Sequence, residues 1–476
     1  MKTISKTNRL SLMIVLSFAA FVSVMNSSMM NVAIPAIIKD YAIPTSFASW
    51  VITSYVTVFA LGTAIYGKAL DLFKLKPIFI IAISIFGIGC LMCSFSPSYW
   101  FLVVGRSVQA IGSSAIPALA FGAVAKFFPL ERRGISFGVI SAAIGLGGAC
   151  GPVIGGIVVS TLGWHSLFIG TTCLLAILAA CHRLLPDEEN TPSEKGRIQE
   201  LDLLGVLLFG TAIICILLSI SFLQLESISN FYSLISISFG LFLFINLVSH
   251  LKKSSHPFID IKLLNNSKFA KGSFTAFVGQ AIYLGGLLFV LPLAMSDQYG
   301  INEDKIGLIL APGALAVACI SPLAGKLTDK YGPVAILFSG LLIFMFSMFF
   351  MSIYSFNHNL FSISLTVVIA AIGFAFIMSA SAVIASISTT ENNGGTSMGV
   401  YQLILFMGAG IGACIFGGLI EFLHSHVDEK GLVFGIFSIN VYQIIFALSC
   451  LIVACPFLIL VKELRAPKIT AVLDEH

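Results

Sequence analysis

Long apolar runs separated by short polar interruptions divide the chain into fourteen stretches, each near the ~20 residues that cross a bilayer as a helix. They fall at about 11–34, 48–69, 77–96, 99–125, 135–160, 164–184, 203–223, 231–250, 270–294, 305–324, 333–353, 359–385, 395–421 and 436–461. The first run follows Lys2, Lys6 and Arg9, but it continues too far and lacks the small-residue cleavage site of a signal peptide, so it reads as a retained helix. The longest hydrophilic stretch, 185–202, is acidic and contains Pro and Ser, the make-up of a solvated linker.

One polar signature occurs twice. Gly67-Lys68-Ala69-Leu70-Asp71 follows the second run, and Gly325-Lys326-Leu327-Thr328-Asp329 follows the tenth. A repeated loop between repeated helix pairs suits two similar halves that rock about a central site. The division expected is a six-helix bundle over 1–184, a linker over 185–202, two inserted helices over 203–250, a loop over 251–268, a second six-helix bundle over 269–462 and a tail over 463–476. The fold class is thus all-α and integral to the membrane, with two pseudo-symmetric halves.

Composition excludes a soluble reading, since 58% of residues are hydrophobic and 10% are charged. The net charge of +4 is a matter of topology. With the N-terminus in the cytoplasm, 22 of the 26 Lys and Arg residues lie on the cytoplasmic side. Only Lys39, Lys305 and Lys430 fall outside, and Arg106 lies within a run. This bias predicts cytoplasmic N- and C-termini and gives no reason to expect a nucleic-acid partner. All ten cysteines lie in apolar runs, so neither a disulfide framework nor a metal site is expected. The phosphate cradle of nucleotide-driven pumps is absent, and no His, Asp and Glu cluster at a shared depth suggests a membrane enzyme.

Four features within the runs carry candidate chemistry. Arg106, three residues before Gln109, is a charge whose burial costs roughly 2.5–3.5 kcal/mol or more, so it must face the bundle interior and a partner. Gly145, Gly147, Gly148, Gly151, Pro152, Gly155 and Gly156 form a dense small-residue seam, echoed at Gly408, Gly410, Gly412, Gly417 and Gly418. Asn26, Ser27, Ser28 and Asn31, just before Ala33, place polar groups on an apolar helix. Gln280, Tyr283, Gln402, Asn440 and Gln443 extend this neutral set of candidate cavity residues. In the repeated loops, Asp71 and Asp329 are suited to accept hydrogen bonds from a neighbouring helix N-terminus and so hold one face closed.

Together these residues resemble the major facilitator superfamily, and within it the fourteen-helix drug:proton antiporters such as the Gram-positive phenicol and tetracycline exporters. Gly67-Lys68-x-x-Asp71 is similar to the superfamily loop motif, with Lys74 where a glycine is usual. Arg106-x-x-Gln109 is similar to its proton-coupling motif, with Ala110 replacing a glycine. The segment from Gly147 to Gly156, containing Gly151, Pro152 and Gly155, is similar to the exporter helix motif, and Met25 to Pro35 resembles a first-helix signature of the fourteen-helix group. The resemblance implies a multi-pass protein of the plasma membrane of a Gram-positive bacterium. It would act as a monomer among lipids and use no cofactor beyond the proton gradient.

Substrate choice turns on what is missing. Asn26 stands where multidrug members often have Asp, and Ser27, Gly148 and Ala409 stand where tetracycline exporters carry acids. None of the 22 Asp and Glu residues lies in the middle of a run. A bundle without a buried carboxylate suits neutral cargo better than an organic cation. The expectation is efflux of a neutral amphipathic drug, chloramphenicol or florfenicol, with Asn26, Ser27, Asn31, Ala33, Gln109, Gln280, Tyr283 and Gln402 lining its path. Arg106, Gln109 and Asp71 are the candidates for proton coupling. A tetracycline or quaternary ammonium exporter, or a metabolite transporter of the same fold, is the alternative.

Overall fold

The computed structural model describes residues 6–43, 45–186, 201–223, 230–254, 257–301, 303–355, 360–388, 394–426, 432–434 and 437–464. Most of the expected 185–202 linker, and the tail beyond 464, therefore lie outside the described residues. The long helices are α1 (Lys6–Tyr41), α2 (Thr45–Leu72), α3 (Leu75–Ser94), α4 (Tyr99–Phe127), α5 (Arg133–Leu162), α6 (His165–Ala180), α7 (Leu203–Leu223) and α8 (Asn230–Lys253). They continue as α9 (Ser267–Ser296), α10 (Glu303–Tyr331), α11 (Pro333–Phe350), α12 (Leu360–Ile387), α13 (Gly394–His426) and α14 (Val441–Leu464). Among the described residues, thirteen helices are long and apolar enough to cross a membrane, and α7 carries a shorter apolar stretch, Leu204–Ile216.

Glycine seams determine which helices touch. On α5, Gly147, Gly151 and Gly155 face the α1 backbone at Met25 and Met29, and Ser28 Oγ donates to Gly147 O at 3.2 Å. Spaced by four, they form one face of the helix, where a missing side chain lets backbones approach. Gly148 and Gly156 lie off this face, with Val24 and Val32 at 4.0 and 3.9 Å from where a Cβ would stand. Helix α5 runs unbroken through Pro152, which is exposed. The echoed seam packs α13 on α9 through Gly408 and Gly412, while Gly410 and Gly418 face open space.

Three features depart from the sequence reading. Helix α9 widens into a π-helical turn over Ala281–Leu287. A two-stranded antiparallel hairpin pairs Leu432–Phe434 with Phe437–Ile439, where the last span was expected to begin at 436. Helix α14 instead starts at Val441 because Asn440 and Gln443 cap it reciprocally, each side-chain oxygen accepting from the other's backbone N–H at 3.0 Å. These two residues are structural caps, not the cavity lining expected of them.

Helices α7 and α8 pack on one another and lean on α2, where Gly210 meets Leu61. Their base is tied by Asp202. It accepts from Gly205 N at 2.9 Å, Phe258 N at 3.2 Å and His250 Nε2 at 2.7 Å. Burial alone would raise the Asp202 pKa, but these three hydrogen bonds outweigh it and hold the carboxyl below its usual range.

Candidate functional site

The two repeated signatures were expected to be loops but form the last turns of α2 and α10, and both make contacts by the same device. At the end of α2, Asp71 Oδ1 accepts from Gly395 N at 2.8 Å, and Oδ2 accepts from Thr396 N and Thr396 Oγ1, both at 2.6 Å. At the end of α10, Asp329 accepts from Gly134 N at 2.7 Å and Ile135 N at 2.9 Å. Each carboxylate therefore caps a helix belonging to the opposite half, where orphan N–H groups and the helix dipole favour an anion.

Glycines make the approach possible. A Cβ on Gly67 would lie 2.5 Å from both Gly395 O and Gly399 Cα, and one on Gly325 would lie 2.6 Å from Gly134 C. Contacts between the halves continue from there along both seams, through Gly138 against Ser321 and Pro322, and on to Gly145 against Val317. On the other seam they reach Phe59 and Phe406, whose rings meet edge to face with centroids 4.7 Å apart. A small hollow lies beside that pair, lined by Ala20, Ser23, Ile116, Pro117 and Ile144.

The lysines of the two signatures differ in their surroundings. Lys68 is 8% exposed and donates from Nζ to Pro257 O at 2.9 Å, linking α2 to the segment after the inserted helices. Lys326 is exposed. Arg133, which sequence reasoning passed over, is buried at the start of α5. It donates to Ala125 O and Phe128 O in its own half and to Ser386 O in the other. The signal that could have found this end is local: Gly134 and Gly395 both open helices immediately after polar segments, where a cap from elsewhere is needed.

Arg106 and Gln109 are brought together. Arg106 is 1% exposed, bonds Gln109 Oε1 through Nη1, donates from Nε to Val51 O at 3.3 Å, and lies over the Tyr55 ring at 4.1 Å from its centroid. Gln109 Nε2 donates to Cys90 Sγ at 3.0 Å, and Tyr55 shares a 2.9 Å hydrogen bond with Ser113 Oγ. Among the described residues Arg106 has no carboxylate partner. Asp71 is not part of this cluster, since it lies sixteen residues beyond Tyr55 on α2, about 24 Å along the axis.

The neutral residues expected to line a path are dispersed. Asn26 Nδ2 donates to Thr171 Oγ1 on α6 at 2.9 Å, leaving its Oδ1 without a partner among the described residues. Tyr283 stacks on Phe374 with centroids 4.1 Å apart, and the buried Gln280 keeps an unpartnered Oε1. Ala33 and Gln402 are buried, Ser27 is half-buried and Asn31 is exposed. No described hydrogen bond joins Asn26, Gln109, Gln280, Tyr283 and Gln402 to one another.

Two halves pinned at one end by reciprocal helix caps form a transporter architecture, and known proteins agree. The sequence matches the Major Facilitator Superfamily over residues 16–267 and 269–473. The chain belongs to that superfamily. It is therefore a membrane transporter and not an enzyme. Its relatives in this superfamily include the riboflavin transporter RibZ of Clostridioides difficile (strain 630), 29% identical over 332 residues, which cover 68% of this chain and 69% of that protein. The MFS-type transporter YwoD of Bacillus subtilis (strain 168) is 26% identical over 436 residues, covering 90% of this chain and 95% of the relative. The solved structure of the human organic anion transporter MFSD10 shares the superfamily fold, with a TM-score of 0.67 at 12% identity, covering 96% of this chain and 100% of that one.

Proposed function

We propose that this superfamily member is a proton-coupled exporter of neutral amphipathic drugs, with phenicols as the favoured cargo. It has fourteen spans, and both termini and both Gly-Lys loops are cytoplasmic in the plasma membrane of a Gram-positive bacterium. The observation that carries the reading is the charge inventory of the helix interiors: a buried Arg106 held by neutral partners, and no mid-span carboxylate to attract an organic cation. The hollow beside Phe59 and Phe406 measures about 10 Å³, too small for a drug, so in this reading a cargo site there opens only when the halves part.

In this reading the pinned end is the cytoplasmic gate. Protonation or displacement of Asp71 frees α13 from α2, and the halves rock about the central region. Arg106 with Gln109 responds to the proton on the drug path, and Asp71 links that response to the gate.

Everted membrane vesicles test it. Chloramphenicol or florfenicol should accumulate on energisation and leave on addition of an uncoupler, while ethidium and tetracycline should not accumulate. Accumulation of the cationic dye without the phenicol would overturn the charge argument. The likeness to a riboflavin transporter favours a second reading, movement of a neutral flavin by the same architecture. Flavin uptake into whole cells, with no phenicol accumulation in vesicles, would select it.

A further inference from the structure

The planar group joining Pro257 to Phe258 is bonded on both edges. Its C=O accepts from Lys68 Nζ at 2.9 Å, and its N–H donates to Asp202 Oδ2 at 3.2 Å. The bond is trans, so these edges point in opposite directions and the group stands between an ammonium on α2 and a carboxylate at the head of α7. Both charges polarise it in the same sense, which strengthens each hydrogen bond. Asp202 divides its work. Oδ1 takes Gly205 N and His250 Nε2 and so holds α7 to α8, while Oδ2 takes Phe258 N, outside the inserted pair. Phe258 is 1% exposed, its ring lies 6.0 Å from that of Phe209, and a Cβ on Gly205 would come within 2.9 Å of it. The inserted helices therefore fix this peptide in place, and the peptide holds Lys68 about one turn before Asp71.

We propose that this peptide is a clasp through which the inserted helices keep the Asp71 latch shut, a role that rests on the pinned end being the gate. Asp202 is then a positioning residue for that gate. Asp71 caps α13 from the last turn of α2, and a helix end frays unless something outside it holds the turn. Lys126 holds this turn through Leu70 O at 3.1 Å, but Lys68 is the residue that answers to the inserted helices. Its carbonyl partner stays in place only while Asp202 and the seated Phe258 ring keep the peptide from turning. Rotation of the peptide breaks both hydrogen bonds at once. Lys326, the matching residue of the second signature, is exposed, so this hold acts on one seam.

Hydrogen exchange of the purified full-length protein tests the clasp, because the Gly395 and Thr396 N–H groups are bonded to Asp71 and exchange when the latch opens. Lys68→Met removes the donor to Pro257. Asp202→Asn keeps an oxygen to cap α7 while turning an N–H group toward Phe258 N. Each should speed exchange at Gly395 and Thr396 roughly tenfold, and Lys68→Arg should restore most of the protection. The double variant should exceed neither single one, since both break one path. Phe258→Ala, which unseats the peptide without removing a charge, should give the same acceleration and stands in if Asp202→Asn melts early. Fast exchange confined to Gly205 and Phe258 in Asp202→Asn would mark a purely local cap and overturn the proposal, as would summed effects in the double variant. Asp71→Asn is the reference. If it speeds exchange at Gly395 and Thr396 and Asp202→Asn does not, the clasp falls and the gate stands. If Asp71→Asn leaves that exchange unchanged, the gate falls and takes the clasp with it.

Discussion

Asp71 and Asp329 occupy the same place in the repeated signature, yet their surroundings are unequal. Asp71 takes three hydrogen bonds, one of them from the Thr396 hydroxyl, whereas Asp329 takes two because Ile135 stands where Thr396 stands on the other seam. Lys68 is buried against Pro257, and Lys326 faces outward. The two copies share glycine, lysine and aspartate in sequence, but only the glycine and the aspartate do the same work in both, close approach and capping. The surroundings of the lysine and the residue that completes the cap differ, so the Asp71 cap has the extra donor and its lysine is tied to the segment after the inserted helices.

The largest effect should come from widening either seam. Gly67→Val and Gly325→Val place branched side chains against backbone, and overpacking of this kind costs about 1–3 kcal/mol or more. Each should abolish vesicle transport and lower the melting temperature, and normal transport by either would show that the seams do not need backbone contact.

Next in size is loss of the carboxylates. Asp71→Asn should stop uncoupler-sensitive transport while the protein still reaches the membrane, since hydrogen bonds to a charged acceptor are worth about 1.5–3 kcal/mol each. Asp329→Asn should reduce transport several-fold less, which vesicle assays of the two variants side by side would measure; equal losses would remove the ranking of the latches.

Thr396→Val sharpens the comparison by leaving Asp71 with the two backbone donors that Asp329 has. It should weaken the α2–α13 latch by about 1 kcal/mol and raise accessibility of that end to thiol reagents on an introduced cysteine. A smaller effect still is expected for the lysines: Lys68→Gln should lower thermal stability measurably, and Lys326→Gln should leave it unchanged.

The mildest prediction concerns pH and the base of the inserted helices. The folded pKa of Asp202 lies below its unfolded value, so its contribution is present above the usual carboxylate range and is lost as pH falls through the folded pKa. The melting-temperature gap between the unaltered protein and Asp202→Asn should be steady near neutrality and shrink below about pH 4. A gap that grew on acidification would reverse the sign of the linkage.

Much of this was legible in the sequence, because membrane spans and small-residue seams are written in local composition. Gly147, Gly151 and Gly155 announced a packing face, and the aspartates announced caps. The helices they would cap were not legible, since Gly395 lies 324 positions from Asp71 and no local pattern joins them. Asn440 and Gln443 were readable and were misassigned: an amide three residues before another, at the head of an apolar run, marks a helix start. Asp202 with His250 was missed because the pair forms only when two helices fold back on one another.

The π-turn of α9 carries a last consequence. A π-turn inserts one residue into the helical winding, and one residue corresponds to about 100° of rotation, so everything past Leu287 is turned relative to an unbroken helix. Helix α1, which follows the N-terminus, is α-helical throughout Lys6–Tyr41. Side chains past Leu287 therefore face directions that a regular helix of the same sequence would not give them.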